Sequence, residues 1–288
     1  MSSSQPSSSG YTRIKLSGKY FKLLSALIYE NSGIYLVPEK KILLETRLNK
    51  LLKYSPYKDI KSYYTYVVND KTGQAMLDII DAISTNHTFF FRERAHFDYL
   101  ETTAFPNIIG SIRKEGALDL RLWCAASATG EEPYGLAMTL MEFLGSEYAS
   151  WKAGILASDI SPTALSKAKK GIFKEKEVNS LPPDLKHKYF KKLATQQWEA
   201  ESFLKQEVLF RRFNLMNTYF PFRKPFHIIF CRNVMIYFDQ KTISELVHRL
   251  YHYTMPGGYL FIGHSESLHG IKNPYENNVY PSVYQKKW

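Results

Sequence analysis

Leu118-Asp-Leu-Arg-Leu-Trp-Cys124, followed by Ala125-Ala-Ser-Ala-Thr-Gly-Glu-Glu-Pro-Tyr134, decides how the C-terminal part of the chain is read. The first seven residues make a short apolar run that fits a strand, the next are small, and Tyr134 to Leu144 reads as an apolar helix. The same rhythm returns at Trp151 to Ala157, a strand ending in Ser158-Asp159. Ser161-Pro162 then opens a helix, because Ser is a preferred N-cap and Pro suits the first helical position. Phe226 to Cys231 is another apolar strand, with a helix from about Lys241 to Tyr253 after it. Pro256-Gly257-Gly258 reads as a turn into Tyr259 to Gly263, and Val279 to Gln285 as a final, antiparallel strand. Strands alternating with helices predict an α/β domain with a mostly parallel, Rossmann-like sheet covered on both faces.

Upstream, residues 18–90 read as an all-helical domain. Tyr20, Leu24, Leu27 and Ile28 fall at helical spacing, and Gly33 suits a C-cap. A second helix, about Glu39 to Tyr54, carries a stripe of Leu44, Leu48, Leu51 and Leu52, with Arg47, Lys50 and Lys53 opposite. Further helices are expected over Lys58 to Val68 and Gly73 to Ile83. Residues 1–17 read as a disordered tail: Met1 to Gly10 holds six serines and has neither the basic nor the apolar segment of a secretory signal. Residues 91–288 form the second domain. Residues 176–213 interrupt its rhythm; Ser202 to Phe213 reads as extended, and an inserted antiparallel β-subdomain is expected at about 186–213.

Composition narrows the class. Hydrophobic residues at 44% and charged residues at 23% are ordinary for a globular protein. No apolar run approaches the roughly 18 residues that span a bilayer. The two cysteines, Cys124 and Cys231, sit in apolar runs and predict buried, reduced thiols in a cytoplasmic protein, with no metal site. The net charge of +11 favours anionic partners without choosing among them.

In open α/β sheets ligands sit beyond the carboxyl ends of the strands. The small residues after Cys124 let a ligand approach the backbone closely. They lack the glycines of a dinucleotide fingerprint and the lysine of a phosphate loop. Glu131 and Glu132 would repel a pyrophosphate and welcome an ammonium or sulfonium group. Thr129-x-x-Glu132 also matches a capping box, but Pro133 fits better as the first helical residue, which leaves Glu132 outside the helix as a ligand contact. Asp159, at the next strand end, suits ribose hydroxyls. Arg232-Asn233 at the end of a buried strand must be satisfied by partners or face the crevice. Tyr237 can place its ring near a cation or simply pack. Ser84 to Glu93, with Phe89-Phe90-Phe91 at its centre, lies at the junction of the two regions, a favoured place for a site. His87 reads as a bystander.

In order, T-N-H-T-F-F-F-R-E, A-A-S-A-T-G-E-E-P-Y, A-S-D-I-S and F-C-R-N-V-M-I-Y-F resemble the motifs of the CheR-type chemotaxis receptor methyltransferases, over about residues 18–288. The resemblance implies methylation of receptor glutamates with S-adenosylmethionine, leaving S-adenosylhomocysteine. It also implies cofactor contacts from Asn86, Thr88, Arg92, Glu132, Asp159, Asn214, Leu215, Arg232 and Asn233, with Arg92 and Tyr237 near the transferred methyl group. Arg47, Lys50 and Lys53 resemble the receptor-facing helix. Some members grip a receptor pentapeptide with a Gly-rich loop; here Lys191 to Gln197 has no glycine. The implied partners are cytoplasmic domains of methyl-accepting chemoreceptors, met by a monomer that neither binds nucleic acid nor enters the membrane. Two rival readings stay open: a nucleic-acid methyltransferase, although Asn233 to Tyr237 lacks the two prolines of the Asn-Pro-Pro-Tyr motif, and a signalling adaptor that binds no cofactor.

Overall fold

The computed structural model describes residues 13–116, 118–194, 196–275 and 277–288, and the chain divides into units 1–84 and 85–288. The expected tail therefore lies outside the described residues as far as Thr12. Ile14 and Leu16 are already held: their backbone N–H groups donate to Asn49 and Glu45, each at 2.9 Å, and Leu16 is buried.

The first unit is helical: α1 (Gly18–Ser32), α2 (Lys41–Leu52), α3 (Ile60–Asn69) and α4 (Gln74–Ile83). Ser17 caps α1 through Tyr20 N, and Asp59 caps α3 through Ser62 N at 2.8 Å. Leu44, Leu48 and Leu52 of α2 are buried with Leu24 and Ile28 of α1 and Ile79 and Ile80 of α4. One apolar face per helix thus closes a single small core.

The second unit opens with α5 (Arg94–Tyr99) and α6 (Phe105–Glu115). It continues β1 (Asp119–Cys124), α7 (Glu131–Leu144), β2 (Lys152–Asp159), α8 (Pro162–Lys170), β3 (Ile172–Lys174), α9 (Glu175–Val178), α10 (Pro183–Tyr189), β4 (Phe190–Lys192), β5 (Gln197–Ala200), α11 (Ser202–Gln206) and β6 (Val208–Arg212). It ends with β7 (Phe226–Phe230), α12 (Gln240–His252), β8 (Thr254–Phe261), β9 (Asn277–Tyr280) and β10 (Val283–Gln285). The main sheet runs β6-β2-β1-β7-β8-β10-β9. Its first five strands are parallel; β10 runs antiparallel to β8, and β9 antiparallel to β10. The chain moves outward from β1 to β2 and β6, then returns to place β7 on the other side of β1. That reversal puts the switch point between β1 and β7.

Four expectations are corrected. The inserted sheet is β3-β5-β4, residues 172–200; Val208–Arg212 belongs instead to the main sheet, paired with β2. The stretch before it, Ser202–Gln206, is helical rather than extended. Pro256-Gly257-Gly258 is an irregularity inside β8, where the register with β7 shifts, rather than a turn before it. The last strand is two, broken at Pro281-Ser282, where Ser282 takes φ 60°.

Candidate active site at the switch point

The central strands end in register. Cys124 lies beside Ala157 on one side and Phe230 on the other, and Phe230 lies beside Phe261. The loops that follow them therefore open at one edge of the sheet.

The loop after β1 is anchored by its own backbone. Ala125 N donates to Phe230 O at 2.7 Å, Ser127 N to Ser158 O at 2.9 Å, and Ala128 N to the Asp159 carboxylate at 2.9 Å. Gly130 sits at φ 105°, and a Cβ there would stand 3.0 Å from Cβ of Ala168, so both conformation and space demand glycine. Helix α7 starts at Glu131, with Gly130 as its N-cap, which corrects the expectation that Pro133 is the first helical residue. Pro133 is the third. The first four N–H groups of a helix have no intrahelical partner, so proline costs nothing there. Glu132 is thus a first-turn residue, and Thr129 donates to the Glu131 carboxylate instead of capping.

Arg232, at the end of β7, is the hub. One Nη donates to Glu132 at 2.9 Å; the other donates to Arg92 O at 2.6 Å and to Glu93 at 2.9 Å. Its guanidinium lies over Phe230, and its Nε has no hydrogen-bond partner among the described residues. The two carboxylates respond differently. Burial pushes Glu132 above the ordinary carboxylate range, against the pull of Arg232. At Glu93 burial is outweighed by Arg232, the Asn233 side chain and His264 N, and the carboxyl ends below its ordinary value. Depth of burial and donor count together explain the opposite directions: Glu93 is half-buried and receives three groups, whereas the buried Glu132 receives Arg232 and the weak Cys124 thiol donor at 3.2 Å. Burial raises the Cys124 thiol well above its normal range, so it stays protonated. Both cysteines are buried and free.

The other expected residues fall as follows. Asp159 also accepts Ser161 N at 2.9 Å, and Asn86 reaches Ser161 Oγ at 3.4 Å, so the segment around Asn86 meets the end of β2. Thr88 is half-buried. Arg92, half-buried, donates to His87 O at 3.2 Å and lies over Phe89. Asn214 follows β6 and accepts Met216 N at 2.9 Å, while Leu215 is buried near Trp123. Asn233, at φ 57°, turns its amide to Glu93, and Tyr237 ends a short 3₁₀ turn, Met235–Tyr237. On α2 of the first unit Arg47 is half-buried and Lys50 exposed, and Lys53, just past the end of the helix, is exposed as well. In the inserted sheet, Thr195 lies outside the described residues, and Gln196 adopts the φ of 53° that a glycine would take easily.

Two carboxylates escaped the sequence reading. Glu93 closes the T-N-H-T-F-F-F-R-E motif and binds Arg232, Asn233 and His264 N. Glu266, beyond β8, accepts the N–H groups of Gly263, Asn233, Met235 and Ile236. It therefore shapes the loop that carries Asn233 and Tyr237. The signal that singled out Asp159, an acid beyond a strand end, applies to Glu266 as well. Glu93, His96 and His264 bring potential ligand atoms within 4.8 Å of one another. The Arg232 guanidinium against Glu93 opposes a second cation there.

Residues 19–84 match the CheR methyltransferase all-alpha domain, and residues 86–283 match the CheR methyltransferase SAM binding domain. The chain belongs to the CheR methyltransferase family. It is 40% identical over 263 residues to a chemotaxis protein methyltransferase of Borreliella burgdorferi, covering 91% of this chain and 92% of that one. It is 36% identical over 260 residues to one of Escherichia coli, covering 89% and 87%. As a CheR-family methyltransferase it uses S-adenosylmethionine. The site suits that cofactor. The Ala125 to Tyr134 turn has no lysine or arginine to meet a phosphate. Its two acids are already engaged, Glu132 by Arg232 and Glu131 by the Thr129 hydroxyl. Ser127 Oγ is buried in the turn with no partner among the described residues, a hydroxyl that a ligand can satisfy. Among the described residues no helix is long and apolar enough to cross a membrane.

Proposed function

We propose that this chain methylates glutamate side chains in the cytoplasmic domains of methyl-accepting chemoreceptors. The observation that carries the reading is a turn without lysine or arginine at the switch point of a chain matched over 91% of its length by a chemotaxis protein methyltransferase. When bound, S-adenosylmethionine supplies a sulfonium methyl group. A glutamate carboxylate, with an ordinary pKa of about 4.3, is already ionised at neutral pH and needs no general base. Its oxygen forms the new O–CH₃ bond as the S–CH₃ bond breaks, and the electron pair leaves with the sulfur of S-adenosylhomocysteine. The protein's part is positioning and exclusion of water. In this reading Asn86, Thr88, Glu132, Asp159, Asn214, Leu215 and Asn233 line the cofactor pocket. Arg232 acts through Glu132 and Glu93. Arg92 holds a carboxylate in its planar fork, Tyr237 orients the attacking oxygen, and Arg47, Lys50 and Lys53 meet the receptor.

The test is to incubate the protein with methyl-labelled S-adenosylmethionine and receptor-containing membranes. Label that enters receptor and is released by mild base as methanol marks a carboxyl ester. Base-stable label, or label in added RNA or DNA, overturns the reading.

A further inference from the structure

The chain leaving β6 must cross β2 and β1 to reach β7, and such crossovers usually carry a helix that covers the strands beneath. Here the crossover, residues 213–225, contains no helix. Its Phe213, Phe220 and Phe222 gather around Trp123 of β1. Helices α7 and α8 pack on the opposite sheet face, where Ile155, Ala157, Val208 and Phe210 join their core. The crossover's phenylalanines cover only the end of the outer face of β2, where Ser158 is buried beneath Trp123 and Leu156 is half-buried at their edge, and the rest of the outer face of β2 and β6 carries no helix among the described residues. A groove of about 800 Å³ lies on it, with Gly154, Leu156 and Leu209 in its floor. Leu209 is 50% exposed.

Cations rim this floor: Lys152 at one end of β2, Arg211 and Arg212 on β6, and Arg223 on the crossover. None of the four forms an ion pair among the described residues. The acid in the lining, Asp119, is taken by Arg121 and Lys224. From Lys152 to Ser158 the floor runs about 20 Å at roughly 3.3 Å per residue. That is the length of about 13 helical residues at roughly 1.5 Å each.

We propose that this groove docks an acidic amphipathic helix of a partner protein. The helix takes the place of the missing crossover helix, with its apolar stripe on Leu156 and Leu209 and its carboxylates at the four unpaired cations. A nucleic acid has no apolar stripe to fill the floor, and a bilayer surface is too flat to enter the groove. The inference does not depend on the methyl-acceptor reading.

The experiment uses the full chain and a fluorescein-labelled 18-residue helical peptide with a leucine stripe flanked by glutamates. Fluorescence anisotropy is expected to show saturable binding. Arg211→Glu/Arg223→Glu is expected to weaken it by about tenfold or more, and Leu209→Glu likewise, whereas Lys169→Glu/Lys170→Glu on α8 changes it by less than about twofold. Matched thermal midpoints show that the variants are folded, and Leu209→Glu gives an independent reading should the double reversal unfold. Absence of peptide binding overturns the proposal, as does equal weakening by the α8 control. So does a groove variant that loses binding to phosphatidylglycerol vesicles or single-stranded RNA while keeping the peptide.

Discussion

Arg232 Nη1 stands 2.9 Å from Oε2 of Glu132, joining the end of β7 to the first turn of α7 with both side chains almost out of solvent. Removing one member of such a pair strands the other charge, at about 3–5 kcal/mol. Glu132→Ala should therefore lower unfolding stability by about that amount, less whatever Glu93 recovers. Glu132→Gln keeps an acceptor and the volume, and should cost less. Urea unfolding measures both; an alanine variant as stable as the parent would mean that Glu93 alone satisfies Arg232.

Glu131, the neighbour of Glu132, gives a pH signature. Burial raises its carboxyl from 4.5 to about 7, despite the hydrogen bond from Thr129. The folded state thus holds the proton more tightly than the unfolded state. The stabilisation is complete below about pH 4.5 and is lost as pH rises through about 7. His96 and His227, both lowered to about 4, chiefly by burial, act in the opposite sense and give stability that is lost as pH falls from 6.5 toward 4. The comparison is therefore with Glu131→Gln, which keeps both histidines. The variant should gain on the parent steadily between pH 4.5 and 7, and hold that gain at pH 8. Parallel stability curves would contradict the shift.

Arg92 keeps most of its fork available, since its one side-chain hydrogen bond among the described residues goes to His87 O. If it grips a carboxylate during methyl transfer, Arg92→Ala should reduce turnover by about tenfold or more, and Arg92→Lys should recover little, because a point charge cannot replace the bidentate fork. Turnover with methyl-labelled S-adenosylmethionine checks this, with circular dichroism to show that the variants are folded. Near-normal turnover of the alanine variant removes Arg92 from the reaction.

How far the sequence was legible depends on the range of the interaction. β1, β2 and β7 were readable because a buried parallel strand is an apolar run. Ser161-Pro162 was readable because a cap is local, and Ser161 does accept Ala164 N. β6 was misplaced for a physical reason. Val208 and Phe210 face the core while Leu209 and Arg211 face out, an alternation shared by any half-covered strand; its partner β2 is assigned only by folding. The start of α7 was misread because proline is tolerated throughout the first helical turn, so Pro133 could not mark one position within it. Glu93 had no visible role because its partners Arg232 and His264 lie 139 and 171 residues away.

Glu266 offers the sharpest separation of positioning from contact. Its carboxylate gathers four backbone N–H groups, from Gly263 at 2.5 Å, Met235 at 2.7 Å, Asn233 at 2.9 Å and Ile236 at 3.3 Å. Burial still leaves its carboxyl above the ordinary value, since those four donors offset only part of the desolvation. The loop it holds is tight: a Cβ on Gly263 would come within 2.4 Å of Asn233 Nδ2. Glu266→Ala abandons two buried donors, Gly263 and Met235 N–H, each worth about 1–3 kcal/mol when unsatisfied, and two part-buried ones that water can reach. It should unfold the loop or the protein. Glu266→Gln keeps one strong acceptor oxygen and turns an amide toward the remaining donors, so it should fold with a lower melting midpoint. If Glu266 acts by placing Asn233 and Tyr237, the glutamine variant should bind S-adenosylmethionine more weakly by calorimetry while Arg92→Ala turnover falls with its own, separate profile. Unchanged cofactor affinity in a destabilised Glu266→Gln protein would confine Glu266 to holding the fold.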